Sequence, residues 1–268
     1  MAKIGWIGLG QMGTPMVENL LKASIDVTVY NRSFDKTLPL VEKGAKNTKN
    51  VEEIFEQNDT IFFMISNYSA ALEVLNENVL SKIKGKKIVN MSTISPTESK
   101  AVGKLVIEND GKYIEAPVSG SVGAATAGVL LILVGGNKAD TEDLYSIFDI
   151  LGSKTYYFGE LGKATGAKLV LNSLLGIFGE AYSEVLLLAQ NFGIDTETIV
   201  NAISDSRMSS PLFQEKKDMF TNREYPAAFM LKHMTKDLKL SNEEIENRKL
   251  SLPLIEDTTR SYSEALEE

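Results

Sequence analysis

Apolar residues in the first 160 positions fall into short runs separated by stretches with helical spacing. Lys3-Ile-Gly-Trp-Ile7, Asp26-Val-Thr-Val-Tyr30, Thr60-Ile-Phe-Phe-Met64, Lys87-Ile-Val-Asn90, Tyr113-Ile-Glu-Ala116, the run within Gly128–Gly136 and Thr155-Tyr-Tyr-Phe158 each read as a strand. The unbroken run at 60–64 is the pattern of a central strand covered on both faces. Strands alternating with helices predict a parallel sheet with crossover helices. Helix starts are marked too. Asn50 precedes Glu53 by three residues, and Ser95 precedes Glu98 with Pro96 at the first helical position, the spacing in which side chains cap the free N–H groups of a first turn.

After Gly159-Glu-Leu-Gly162 the spacing is helical to the end. A long helix is predicted from Lys163 to Asn191, closed by Phe192-Gly193, with Asp195 capping the next and further helices near 212–220, 229–247 and 254–266. This predicts an α/β domain over residues 1–160 and an all-α domain over 161–268. The apolar stretch Leu169–Leu188 is interrupted by Asn172, Ser173, Glu180 and Glu184, so it reads as a buried helix rather than a membrane span. The acidic end, Ser261–Glu268, is expected to fray.

Composition narrows the function classes. The chain has 268 residues, enough for two domains, and its net charge of −8 argues against binding a nucleic-acid backbone. It contains no cysteine, which removes disulfides, thiolate metal sites and a cysteine nucleophile. Met1 leads into a strand without a charged and apolar leader, so a cytoplasmic protein with no membrane partner is expected.

Candidate chemistry begins at the first strand. Gly8-Leu9-Gly10-Gln11-Met12-Gly13 lies between that strand and a helix expected from about Gln11 to Lys22. In a dinucleotide site the first glycine permits the tight turn and the second lets backbone approach the pyrophosphate. The third lets helix pack on strand. The motif is weak alone and gains weight from this context. The acidic residue expected roughly 20 residues later, which would hold a ribose 2′-hydroxyl, is absent. Tyr30 is followed by Asn31, Arg32 and Ser33, with Lys36 one turn on. Those cations and hydrogen-bonding groups suit a 2′-phosphate, so NADP is preferred over NAD; a solvated basic turn would look the same. Met64 ends the apolar strand as a further cofactor candidate, and Ile65, Ser66 and Ala70 after it fall where a loop passes the cofactor ribose. Ser119-Gly120-Ser121 offers N–H groups and hydroxyls to a carboxylate. Reducing an aldehyde leaves an alkoxide that must be protonated, and a desolvated lysine suits that task. Lys168 stands in the first turns of the long apolar helix, with Asn172 four residues on and on the same face. A lysine whose stem packs while its amine reaches water is the alternative.

These stretches resemble, in order, the signatures of the β-hydroxyacid dehydrogenase family, which includes 3-hydroxyisobutyrate dehydrogenase, tartronate semialdehyde reductase and the glyoxylate/succinic semialdehyde reductases. The resemblance rests on Ile7–Gly13 with Met16 and Asn19-Leu20, Asn90-Met-Ser-Thr93, Glu115-Ala-Pro-Val-Ser-Gly-Ser121, Gly162–Asn172 and Phe229–Leu238. It implies a 6-phosphogluconate dehydrogenase-like fold, a Rossmann domain plus a helical domain. The implied reaction interconverts a small β-hydroxyacid and its semialdehyde with NADP(H), with Lys168 and Asn172 catalytic. Ser119, Gly120, Ser121 and Asp237 would bind substrate; Thr93 and Lys236 would join the glycine loop in holding cofactor. Asp237 could instead orient Lys236. A homodimer or homotetramer built through the helical domain is also implied. Ser121 replaces the family's glycine, Ser173 replaces a common asparagine, and Glu115 and Asn90 stand where aspartate is frequent. Two alternatives keep the fold: an imine reductase and a non-catalytic NADP-binding scaffold. His233, the single histidine, reads as an ordinary helix residue. Glu180 and Glu184 lack the further ligands a metal would need.

Overall fold

The computed structural model describes residues 3–226 and 229–267. Met1, invoked for the absence of a leader, and Glu268, the last residue of the expected fray, lie outside the described residues.

The strands are β1 (Lys3–Ile7), β2 (Asp26–Tyr30), β3 (Lys46–Asn47), β4 (Thr60–Phe63), β5 (Lys87–Asn90), β6 (Lys112–Glu115), β7 (Val118–Ser119), β8 (Leu130–Gly136) and β9 (Gly152–Gly159). Among the described residues they form one sheet in the order β3-β2-β1-β4-β5-β6-β8-β7, with β9 on β8. The first six pair in parallel. β8 runs antiparallel to both β6 and β7, so the sheet is mixed where the sequence pattern gives a parallel one. Alternation of side chains explains the two buried faces. Trp6 stacks on Phe62 with ring centroids 5.4 Å apart, in the same cluster as Met16, Leu20 and Phe148. Ile7, Ile61 and Phe63 point the other way and pack with Ile54, Val102 and Val106.

The helices of this unit are α1 (Gly13–Lys22), α2 (Leu38–Val41), α3 (Val51–Gln57), α4 (Tyr68–Val74), α5 (Glu77–Leu80), α6 (Pro96–Glu108), α7 (Val122–Ala127) and α8 (Tyr145–Leu151). The stretch expected to be helical from Ala139 begins as two short 3-10 turns, Lys138–Asp140 and Glu142–Leu144, before α8. Ser95 and Glu98 form the complete reciprocal cap on α6. Asn50 caps α3 through the N–H of Glu52, while Glu53 takes the Thr48 hydroxyl at 2.5 Å; its carboxylate serves the preceding loop.

Five helices follow: α9 (Lys163–Asn191), α10 (Thr196–Asp205), α11 (Pro211–Asn222), α12 (Leu231–Asn247) and α13 (Pro253–Glu267). Asp195 caps α10 by accepting the Thr198 N–H at 2.9 Å. α13 is helical to Glu267, so the described part of the acidic end, residues 261–267, is helix rather than the expected fray. Thr258 and Thr259 are buried on one side of it, and the Thr259 hydroxyl bonds back to Ile255 O at 2.7 Å. By packing, the residues up to Leu171 with Glu246–Arg248 form one compact unit, and the rest from Asn172 onward form a second. The second has its own aromatic centre, where Tyr182 meets Phe213 at 4.8 Å between centroids and Phe220 at 6.5 Å.

α9 is not the buried helix the sequence suggested. Thr165, Lys168, Asn172 and Ser173 are buried, whereas Val170, Leu174, Phe178, Val185 and Leu188 are exposed. At about 100° per residue the two sets lie on opposite faces, and buried Leu169 and Leu186 share the inward side with the polar groups. By length and composition alone it would also pass as long and apolar enough to cross a membrane.

Ser95 Oγ accepts the Glu98 N–H at 3.1 Å, and the Glu98 carboxylate returns the bond to the Ser95 N–H at 2.8 Å. Ser95→Ala should therefore lower stability by about 1 kcal/mol, the usual worth of a lost cap. Urea unfolding followed by circular dichroism checks this.

Candidate active site

The glycine loop is built by close approach. Gly8 has φ of +102°, and a Cβ there would stand 2.2 Å from Met64 O. A Cβ on Gly13, the first residue of α1, would stand 2.1 Å from Gly8 O. Neither position can carry a side chain. Gly10 differs: a Cβ there would meet nothing within 4 Å, so its backbone faces open space. That space is a cavity of about 460 Å³ lined by Leu9, Gly10, Gln11, Thr14, Lys36 and Val122 among others. Exposed Gln11 and half-buried Met12 complete the turn, with Met12 against the core beneath. A cradle that two close contacts fix and one bare backbone opens fits a dinucleotide pyrophosphate.

The end of β2 sits beside this loop. Asn31 Oδ1 accepts the Leu9 N–H at 2.9 Å, and Asn31 Nδ2 donates to Ser33 O, also at 2.9 Å. The Asn31 amide therefore locks the glycine loop to the turn that carries Arg32 and Ser33. Arg32 points outward, its side chain 88% exposed, 3.7 Å from Glu73 Oε2. Lys36 is exposed and borders the cavity, so it is the cation of this group that reaches the glycine loop.

Beyond β4, the Met64 N–H donates to Ile7 O at 2.8 Å and the Ile65 N–H donates to the Ser92 hydroxyl at 2.9 Å. Asn90 orders the loop after β5 by accepting the Ser92 N–H at 3.0 Å. Thr93 follows, half-buried. Ser66 is exposed, and the Ala70 N–H is held by Asn67 as the cap of α4. Leu9, Ile65 and Ala70 thus each have their N–H bonded to a neighbouring side chain.

Ser119 ends β7 half-buried, and Gly120, at φ of +141°, takes a conformation that needs glycine. Ser121 has φ of −83°, which any residue accepts, and its hydroxyl caps α7 through the Ala124 N–H at 3.5 Å. The hydroxyl that replaces the family's glycine is turned toward that helix start.

Lys168 is 8% exposed, in the second turn of α9. In the helical unit Asn172 is buried, and its Nδ2 donates to Asp237 Oδ2 at 2.6 Å. Lys236 Nζ lies 2.9 Å from Asp237 Oδ1. Among the described residues that oxygen accepts no directed hydrogen bond, so Lys236 neutralises it by charge rather than by aim. Ser173 donates to the Ser241 hydroxyl at 2.9 Å, a structural bond between α9 and α12. The sequence pattern could not pair Asn172 with Asp237, which lie 65 residues apart. His233 stacks on Phe229 at 6.2 Å between centroids. Burial, aided by Lys232 and Lys236, holds its imidazole below the ordinary value.

Residues 3–159 match the family described as the NAD binding domain of 6-phosphogluconate dehydrogenase, and residues 162–268 match that described as the NAD-binding part of NADP-dependent 3-hydroxyisobutyrate dehydrogenase. Glyoxylate/succinic semialdehyde reductase 1 of Arabidopsis thaliana is 34% identical over 266 residues, covering 98% of this chain and 92% of that one. Cytokine-like nuclear factor N-PAC of Anopheles gambiae is 31% identical, and there the match spans 98% of this chain but 47% of the relative. Mycobacterium tuberculosis 3-hydroxyisobutyrate dehydrogenase superposes with a TM-score of 0.91, covering 100% of this chain and 94% of that one at 22% identity. Fold, ordered motifs and these matches agree that the chain belongs to the β-hydroxyacid dehydrogenase family and is an oxidoreductase.

Proposed function

We propose that this chain reduces a small carboxylate-bearing aldehyde to the corresponding hydroxyacid with NADPH, reversibly. The observation that carries the reading is the buried lysine. Lys168 is 8% exposed and shares a helix with Asn172, itself 2% exposed. A primary amine set mostly out of water, on the helix that also carries Asn172, can hand a proton to a nascent alkoxide and take it back in the reverse direction.

The residues divide the work as follows. Gly8, Gly10 and Gly13, with the turn Leu9, Gln11 and Met12, hold the pyrophosphate. Asn31, Arg32, Ser33 and Lys36 take the adenine ribose and its 2′-phosphate. Met64, Ile65, Ser66, Ala70 and Thr93 flank the remainder of the dinucleotide, and Lys236 is the further cofactor residue that the family resemblance implies. The cofactor, when bound, supplies or accepts the hydride. Ser119, Gly120 and Ser121 bind the substrate carboxylate. Lys168 Nζ gives a proton to the substrate oxygen in reduction and recovers it in oxidation. Asn172 orients the substrate, its amide fixed by Asp237. Support also comes from the Arabidopsis relative, named for glyoxylate and succinic semialdehyde.

The test compares kcat/KM for glyoxylate, succinic, tartronate and methylmalonate semialdehydes, with a cyclic imine alongside. A semialdehyde is expected to lead, and faster turnover of the imine would replace this reading with an imine reductase. Lys168→Ala should cut turnover by about 10²–10⁴, the range for a positioned acid–base group, with NADPH affinity little changed.

Arg32 and its neighbour Glu73 give a second test. Arg32→Asp should lower the NADPH/NADH preference by about tenfold to a hundredfold, the worth of one charge-assisted hydrogen bond. Glu73→Gln removes the carboxylate 3.7 Å from Arg32 and should move the ratio the other way. Paired dissociation constants from nicotinamide fluorescence read both.

The outward apolar face of α9 favours a homodimer. Leu174→Glu with Phe178→Glu should convert a dimer or tetramer into a smaller species by light scattering.

A further inference from the structure

Glu115 ends β6 with a side chain 0% exposed. Four donors converge on its carboxylate. Ser99 Oγ donates to Oε1 at 2.7 Å and the Gly162 N–H to Oε1 at 2.6 Å. The Thr165 N–H donates to Oε2 at 3.3 Å and the Thr165 hydroxyl to Oε1 at 3.4 Å. Gly162 and Thr165 belong to the start of α9, whose preceding residue is a glycine with no side chain to cap it. Gly162 has φ of +89°, a conformation that residues with side chains rarely adopt, so a local cap from this position is disfavoured. The sheet is shaped for the carboxylate as well: a Cβ on Gly135 of β8 would lie 2.8 Å from Glu115 Oε2 and 3.0 Å from Ala164 Cβ. Beneath it, Tyr113 OH accepts from Asn90 at 2.9 Å and meets Ser99 Oγ at 3.1 Å, and burial lifts the Tyr113 hydroxyl above the usual phenol range.

We infer that Glu115 is the positioning residue for Lys168: a cap delivered from the sheet, 47 residues away in sequence, that fixes the first turn of α9 and thereby the place from which Lys168 works. Thr165 and Lys168 are three residues apart, hence neighbours on one helical face. A shift or rotation of the Thr165 turn moves the Lys168 stem with it. Four donors and two acceptor oxygens suit a carboxylate alone, because an amide at this position would set its own NH₂ against one of the donors. Acid–base transfer tolerates displacement poorly, so the cost of losing the cap falls on kcat.

The inference rests on Lys168 being the proton donor, and a double-mutant cycle separates the two claims. Glu115→Gln, Lys168→Ala and the double variant are assayed for kcat and KM, with NADPH-binding stoichiometry counting the folded sites. Glu115→Gln should lower kcat per site by about tenfold or more while KM and NADPH affinity stay within about twofold, and should add almost nothing in the Lys168→Ala background. An undiminished kcat in Glu115→Gln, or a full additional loss in the double variant, overturns the positioning role while leaving Lys168 as the acid. Wild-type turnover in Lys168→Ala instead overturns the reading beneath it. Should Glu115→Gln lose NADPH-binding sites, Gly135→Ala enters the same cycle. It keeps the carboxylate but displaces it, and must give the same kcat-selective loss, dependent on Lys168, for the inference to stand.

Discussion

The site depends first on two places where backbone meets backbone with no room for a methyl group. A Cβ on Gly8 would stand 2.2 Å from Met64 O, and one on Gly13 would stand 2.1 Å from Gly8 O. The first contact holds the turn against β4, and the second holds the start of α1 against that turn. The parts can meet this closely because both positions lack a side chain, and backbone bonds hold them there: the Gly8 N–H donates to Tyr30 O at 3.0 Å and the Met64 N–H to Ile7 O at 2.8 Å. The free N–H groups at the start of α1 consequently have one direction in which to point. Asn31 extends the same rigidity to the end of β2 through the Leu9 N–H and Ser33 O. The structure gives that asparagine a task beside the one its place in the sequence suggests: it holds the loop, next to the exposed Arg32, Ser33 and Lys36.

α9 poses the opposite problem, since it places polar groups inside. Burying an unpaired amide or ammonium is costly, and the chain answers with carboxylates from other elements. Glu115 meets the N–H groups and hydroxyl at the helix start, and Asp237 meets the Asn172 amide at 2.6 Å. A negative charge at a helix N-terminus is itself favourable by about 0.3–1 kcal/mol, and up to ~2 kcal/mol when partly buried. The polar stripe is thus held from both sides of Lys168 along the helix, while the apolar stripe faces outward.

What was legible in the sequence follows from distance along the chain. Period-2 and helical spacing, the Ser95–Glu98 cap, the bounds of α9 and the Asp195 cap are all local, and the residues that create them are neighbours. Family membership was legible because its motifs are local too. The contacts that organise the polar stripe of α9 join residues 47 to 68 positions apart, and no periodicity announces them. The antiparallel placement of β8 escaped for the same reason, because strand direction depends on a connection rather than on a pattern. The burial of α9 was misread through a different assumption, that apolar faces turn inward. Here Val170, Leu174 and Phe178 are exposed, and Thr165, Lys168, Asn172 and Ser173 are buried.

The same local logic explains why this chain can carry serine at position 121 and not at 120. Gly120, at φ of +141°, leaves an added Cβ 2.9 Å from Leu130 Cδ2, a conformation and a space that both exclude side chains. One residue on, φ is −83° and the side chain can reach the Ala124 N–H, where it serves as the cap of α7. The exchange of glycine for serine there removes backbone freedom from the unfolded chain and adds a helix cap, at no cost in strain. A hydroxyl held by α7 is also a directed group: while its oxygen accepts from the helix start, its proton remains available to an acceptor on the far side. A carboxylate or hydroxyl of a substrate on Ser119 and Gly120 would be such an acceptor, so the departure from the family pattern changes the hydrogen-bonding capacity of the loop without changing its shape.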